Sequence, residues 1–173
     1  MKLSHKILLF CILSVAFISC DRVTKDLAKT HLMNRPDISY FHHTIVLEYV
    51  ENTGAALSMG DNLPKAVSFW LLSVMPLVII LVVLGYVIKN MSQMSLLRIL
   101  SFAMIISGGL GNIIDRIAFD RHVTDFMNVG IMNLRTGIFN VADMCVTAGV
   151  IGLFFSFRDK TGDLKKATPE SAV

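Results

Sequence analysis

The chain has 173 residues, 54% of them hydrophobic and only 17% charged, with a mean hydropathy of +0.63. Soluble domains carry about 25% charged residues, so this composition argues against an ordinary water-soluble domain, and the length suits one small helix bundle rather than two domains. The formal charge of +3 is dispersed and gives no basis for nucleic-acid binding. Cys11, Cys20 and Cys145 lie in or beside apolar runs without C-x-x-C spacing, as small hydrophobes rather than metal ligands or a disulfide framework.

The first element poses a choice. Lys2 and Lys6 precede an apolar run over residues 7–20, and FISC at 17–20 has the form of a lipoprotein cleavage site. A cut before Cys20 would leave a lipid-anchored mature protein. Three later apolar runs speak for an uncut helix instead. The helix can continue through DRVTKDLAK, where Asp21 and Lys25 stand one turn apart and can pair, giving a first span over about 7–28.

A long connection follows, too long for a simple loop. Residues 39–50, SYFHHTIVLEYV, are rich in β-branched and aromatic side chains and alternate with period two. They predict a small extracytoplasmic β-sheet over about 38–60, at the membrane surface between the first and second helices. The second span covers about 66–88, with Pro76 inside it, and the third about 97–116, ending in Asp115 and Arg116. A second outer segment, 115–136, leads to a fourth span at about 138–157 that contains Asp143. A polar tail over 159–173, without apolar period, reads as structureless and cytoplasmic. The fold class expected is therefore an all-α membrane protein with four transmembrane helices and a small outer sheet. Half of the 16 Lys and Arg residues fall in inner segments about half as long as the outer ones, which places both termini inside.

Four polar clusters gather near the outer face, and ionisable residues at membrane depth tend to mark function. Asp21 and Lys25 form one, readable equally as a helix-end ion pair. In GGLGNIIDR, residues 108–116, Gly108, Asn112, Asp115 and Arg116 share a helical face. Helix packing explains its glycines but leaves Asn112 over. Asp125 of VTDFM sits in the outer loop between apolar neighbours. In FNVAD, Asn140 is placed to cap the fourth helix, with Asp143 three residues on to answer it. Asp125 and Asp143 would lie on neighbouring elements. Two close carboxylates cannot both ionise easily, so one can hold a proton while the other acts as base, which is aspartyl-protease chemistry. An ion relay in a small transporter or channel is the other reading these acids allow.

In their order, DRVTK, ENTGAAL, GGLGNIIDR, VTDF and FNVAD resemble the motif blocks of the bacterial lipoprotein signal peptidases (signal peptidase II), over nearly all of residues 6–157. The resemblance implies an aspartyl endopeptidase of the bacterial inner membrane, with four helices, both termini cytoplasmic and an outer sheet cradling the active site. It implies cleavage of diacylglyceryl-modified prolipoproteins before the lipidated cysteine, with signal peptides and membrane lipid as partners and no cofactor or metal. It puts the catalytic pair on Asp125 and Asp143. Supporting or substrate-binding roles fall on Asp21, Lys25, Asn52, Gly54 with Ala56 following, Asn112, Asp115, Arg116 and Asn140. Asp115 is expected to pair with Arg116 and hold it against the substrate. Leu57, Thr124 and Met144 depart from the usual pattern without removing a polar group, so they bear on substrate preference. On this reading FISC belongs to the enzyme's own first helix. Mass spectrometry of the purified chain should accordingly show the residues before Cys20 retained. A mature form beginning at a lipidated Cys20 would contradict it.

Overall fold

The structure is a computed structural model describing residues 1–55, 59–132 and 134–166, with side chains as far as residue 157. Ala56 and Leu57 lie outside the described residues, as do 167–173. Among the described residues, four helical segments and four strands follow in the order α1 (Leu3–Leu32), β1 (Ile38–Tyr40), β2 (Ile45–Asn52), α2 (Lys65–Gln93), α3 (Leu96–Ala118), β3 (Val123–Ile131), β4 (Leu134–Arg135) and α4 (Val141–Lys166). Three of the helices are long and apolar enough to cross a membrane, and α4 contributes a shorter apolar stretch, Val141–Phe157. This is a multi-pass membrane protein.

α1 runs unbroken through FISC, with Cys20 exposed on its surface, and extends past the expected end to Leu32. Its DRVTKDLAK turns are held by pairs at i, i+4, among them Lys25 with Asp21 and Arg22 with Asp26. α2 carries a wide π-helical turn, Trp70–Val74, just before Pro76. Proline has no N–H to give back to the preceding turn, and widening that turn lets the helix continue. α3 is the central helix: more than half of its apolar window is buried, against small fractions of α1 and α2, whose outward apolar faces are left for lipid. Ile99, Phe102, Ala103, Ile106 and Ile113 of α3 build the core with Phe10, Ile80 and Val87. At the end of the bundle away from the sheet, Lys6 donates to the carbonyls of Ser92 (2.8 Å) and Met94 (2.7 Å), and Arg98 to the Ser156 hydroxyl (2.9 Å).

α3 and α4 pack at backbone distance because Gly108 and Gly111 carry no side chain. A Cβ on Gly108 would meet the Ala142 carbonyl oxygen, and one on Gly111 would stand 2.7 Å from Asp21 Oδ2. The glycines thus set how closely α1, α3 and α4 converge under the site.

The sheet is antiparallel in the order β1-β2-β3-β4. This corrects the expectation of a sheet made only between the first two helices. Half of it comes from the segment between α3 and α4, where Asn128 and Gly130 interrupt the apolar alternation that marks a strand. Asp125 is therefore a strand residue rather than a loop residue. Leu47 and Tyr49, on one face of β2 as their alternation predicts, pack with Phe126 on Ala28 and Leu32 of α1. A second correction concerns the tail: α4 continues to Lys166, into the segment expected to be structureless, and holds Gly162 within its last turns although glycine is a poor helix former.

Gly108→Ala should lower the melting temperature in detergent by an amount equivalent to about 1–3 kcal/mol, the usual cost of overpacking. Gly85→Ala, where a Cβ meets nothing within 4 Å, should leave it unchanged or raise it. Equal melting of the two variants would mean that α3 and α4 are not packed this closely.

Candidate active site

The N-terminus of α4 anchors the site. Asp143 N–H donates to Asn140 Oδ1 (3.0 Å) and Asn140 N–H donates back to Asp143 Oδ2 (3.1 Å). This is a reciprocal cap, with an aspartate in the acidic position, and it satisfies two donors that a helix start leaves free. It also fixes the Asp143 carboxylate. The chain just before it is tied to β3: Phe126 and Met127 N–H donate to the Phe139 carbonyl, and Phe139 N–H to that of Met127. Strand β3 is thereby held beside the start of α4, so Asp125 and Asp143 reach the same place.

Asp125 sits opposite Val50 in β2, and a one-residue irregularity between Leu47 and Val50 re-aims the end of that strand. Asn52, diagonal to Asp125, donates through Nδ2 to Asp125 Oδ2 at 2.9 Å, and Asn140 Nδ2 donates to Oδ1 at 2.6 Å. On the other carboxylate, Asn112 Nδ2 donates to Asp143 Oδ1 at 2.8 Å. None of these amides is free to turn over. Asn52 Oδ1 accepts from Gly54 N–H (2.9 Å), Asn140 Oδ1 from Asp143 N–H, and Asn112 Oδ1 from the Lys25 ammonium (3.0 Å). Each of those partners can only donate, so each amide oxygen must face it and each NH2 must face a carboxylate.

Behind Asn112, Lys25 is fully buried. It touches Asp21 Oδ2 and Asp115 Oδ2, both at 2.7 Å, and Arg22 meets the other oxygen of Asp115 at 2.9 Å. Asp21 Oδ1 accepts the Ala142 N–H at 2.8 Å, another first-turn donor of α4. The expected pairing of Asp115 with Arg116 is not what forms. Neighbours on a helix point about 100° apart, so Asp115 turns inward to Lys25 and Arg22. Arg116 turns outward, donating to the Gly54 carbonyl at 2.9 Å. Arg121 reaches the Thr53 carbonyl beside it (3.4 Å), so two arginines grip the loop after β2. His122, three residues before Asp125, is engaged with the Phe119 carbonyl and faces Glu51.

The carboxylates open into a cavity of about 690 Å³. Asn52, Arg116, Asp125 and Asp143 line its polar end, and Met144, Thr147 and Ile151 continue it along one face of α4. Asp125, on its strand outside the helices, is buried, and this desolvation raises its carboxyl to about 6. The charge of Asp143 pushes the same way, while the amides of Asn52 and Asn140 pull against it.

A model of the family described as Signal peptidase (SPase) II matches residues 13–158. The chain belongs to that family. A lipoprotein signal peptidase of Sulfurihydrogenibium sp. is 32% identical over 155 residues, covering 90% of this chain and 93% of the relative. One of Symbiobacterium thermophilum is 34% identical over 148 residues, covering 86% and 92%. A solved bacterial membrane enzyme, determined by the in meso method at 2.3 Å, superposes with a TM-score of 0.77 at 25% identity, over 95% of this chain and 94% of that one. A second, at 1.9 Å, gives 0.73 at 26% identity, over 86% and 92%. The ion-relay reading finds no support among them.

In this signal peptidase II family member, the ten residues singled out from sequence form one connected site. Asn52, Asn112 and Asn140 surround the two carboxylates, while Asp21, Lys25 and Asp115 stand behind, and Gly54 and Arg116 close the loop side. Sequence reasoning missed Arg22, whose i, i+4 spacing to Asp26 was the available signal, and the groove residues Thr147 and Ile151, which look like ordinary span residues.

Replacing Lys25 by Met would strand two buried carboxylates and should cost about 3–5 kcal/mol. Arg22→Gln, at a side chain one-third exposed, should cost under about 1 kcal/mol. Thermal unfolding in detergent compares them. A Lys25→Met protein that melts like wild type would refute the buried network.

Proposed function

We propose that this chain removes signal peptides from diacylglyceryl-modified prolipoproteins, cutting before the lipidated cysteine, with Asp125 and Asp143 as its acid–base pair. Membership of the signal peptidase II family supports a prolipoprotein peptidase. The observation that carries the residue assignment is the convergence of three locked amides on two carboxylates at the mouth of one groove.

The raised Asp125 carboxyl holds the proton and Asp143 is the base. Asp143 takes a proton from water as the water oxygen adds to the scissile carbonyl carbon. Asp125 gives its proton to the carbonyl oxygen, leaving a neutral gem-diol. On collapse, the C–N bond breaks, Asp143 returns its proton to the leaving amine, and one diol hydroxyl restores the proton of Asp125. Water ends divided between the new carboxyl and the new amine, and both acids regain their starting states. The apolar length of the groove beside Met144, Thr147 and Ile151 suits the alkyl part of a lipid-modified substrate. The four helices cross the bacterial inner membrane with both termini cytoplasmic, following the denser Lys and Arg of the inner segments, and the sheet and dyad lie at the outer face.

Cleavage of a lipidated prolipoprotein in membranes tests the assignment. Asp125→Asn and Asp143→Asn should each lose several orders of magnitude in rate, with the double variant scarcely worse, because the pair acts as a unit. Asp115→Asn should retain measurable turnover. The reverse pattern, with Asp125→Asn active and Asp115→Asn dead, would move the dyad to Asp115 and Asp143.

The pH profile provides a second check. An acid that must be protonated is lost as pH rises through its pKa, so kcat/KM should fall above pH about 6. Asn52→Ala removes a donor that favours the ionised form, so the alkaline limb should move to higher pH in that variant. A limb that stays put, or moves lower, would contradict the assignment of that limb to Asp125.

A further inference from the structure

The end of the sheet away from the dyad carries an apolar cluster that the peptidase chemistry does not use. The β1–β2 turn and the turn from β3 into β4 lie side by side. Gly130 N–H donates to the Thr44 carbonyl at 2.9 Å, and Arg135 donates to the His43 carbonyl at 2.7 Å. From these adjoining turns project Phe41, Met132 and Leu134, at 75%, 89% and 85% exposure, with Ile131 and Tyr40 beside them. A single exposed hydrophobe is ordinary, but a contiguous group marks an interaction surface.

The backbone at the turns points the same way. Phe41, His42, His43 and Met132 all have positive φ, between 50° and 62°. A water-facing turn meets that requirement with Gly, Asn or Asp, whereas a bulky side chain there is disfavoured and implies a function for the side chain itself. The charge pattern completes the picture. No acid occurs in residues 38–47 or in 126–142, and the polar members of the cluster include His42, His43 and Arg135. An aromatic and long aliphatic side chains at a tip with basic neighbours and no acid match the interfacial region of a bilayer with anionic headgroups. The helices beneath likewise turn apolar faces outward, and three of them are long and apolar enough to cross a bilayer.

We infer that the paired turns of the sheet form a membrane anchor: Phe41, Met132 and Leu134 insert into the leaflet on the sheet's own side, with His42, His43 and Arg135 at headgroup level. The sheet is thereby pinned at both ends, to α1 through Phe126 and to lipid through the turns, which holds the strand bearing Asp125 at a fixed height over the bilayer. This inference rests on the membrane-spanning fold and is independent of the peptidase assignment.

The chain has one tryptophan, Trp70, so fluorescence can report on the tip. In a Trp70→Phe background, Met132→Trp and, separately, Leu134→Trp are placed in nanodiscs of phosphatidylcholine and phosphatidylglycerol, with or without bromine on the acyl chains. Insertion predicts blue-shifted emission and at least a two-fold loss of intensity in the brominated discs at either position. Red, water-like emission without quenching at both positions would overturn the proposal. So would blue-shifted emission that bromine leaves untouched, since that means burial against protein, such as a second copy of the chain.

Discussion

The buried ammonium of Lys25 is the point on which the site turns. It donates to the amide oxygen of Asn112 and forms ion pairs with Asp21 and Asp115. An ammonium has no acceptor capacity, so it dictates which way Asn112 faces and hence that Asn112 donates to Asp143. A buried charge of this kind contributes little net stability when paired, because desolvation offsets the Coulomb gain. Its effect here is geometric. One ion cluster joins α1 to α3, and through the Ala142 N–H held by Asp21 it also reaches the first turn of α4.

The second constraint is close approach. Gly108 and Gly111 let three helices meet below the carboxylates, and the Phe139 bonds draw β3 against the start of α4. The two carboxylates of the proposed dyad therefore stand on two kinds of element, a strand and a helix N-terminus, each locked by its own hydrogen bonds. Acids held by rigid backbone lose little freedom when substrate arrives, which favours a reaction whose only demand on the protein is placing two proton-exchanging groups.

Much of this was legible in the sequence. Apolar runs of spanning length announced the helices, and the Asn140–Asp143 spacing announced the reciprocal cap. The DRVTK spacing announced the Asp21–Lys25 pair. What escaped was whatever depends on through-space partners. β3 carries Asp125, Asn128 and Gly130, a poor strand by propensity, and it exists because β2 and Phe139 complete its hydrogen bonds. Asp115 looked like the partner of Arg116 because the two adjoin in sequence, yet adjacency on a helix separates side chains. Arg22 gave no hint that it would reach across to α3.

The proposed dyad requires one proton, held on Asp125 by burial against the pull of the locked amides. Infrared spectroscopy of the protonated-carboxyl band in reconstituted protein, titrated from about pH 4 to about pH 8, tests it most directly. A band that disappears with a midpoint near 6 and is absent from Asp125→Asn is the result expected. A band of that midpoint that survives in Asp125→Asn would contradict the account.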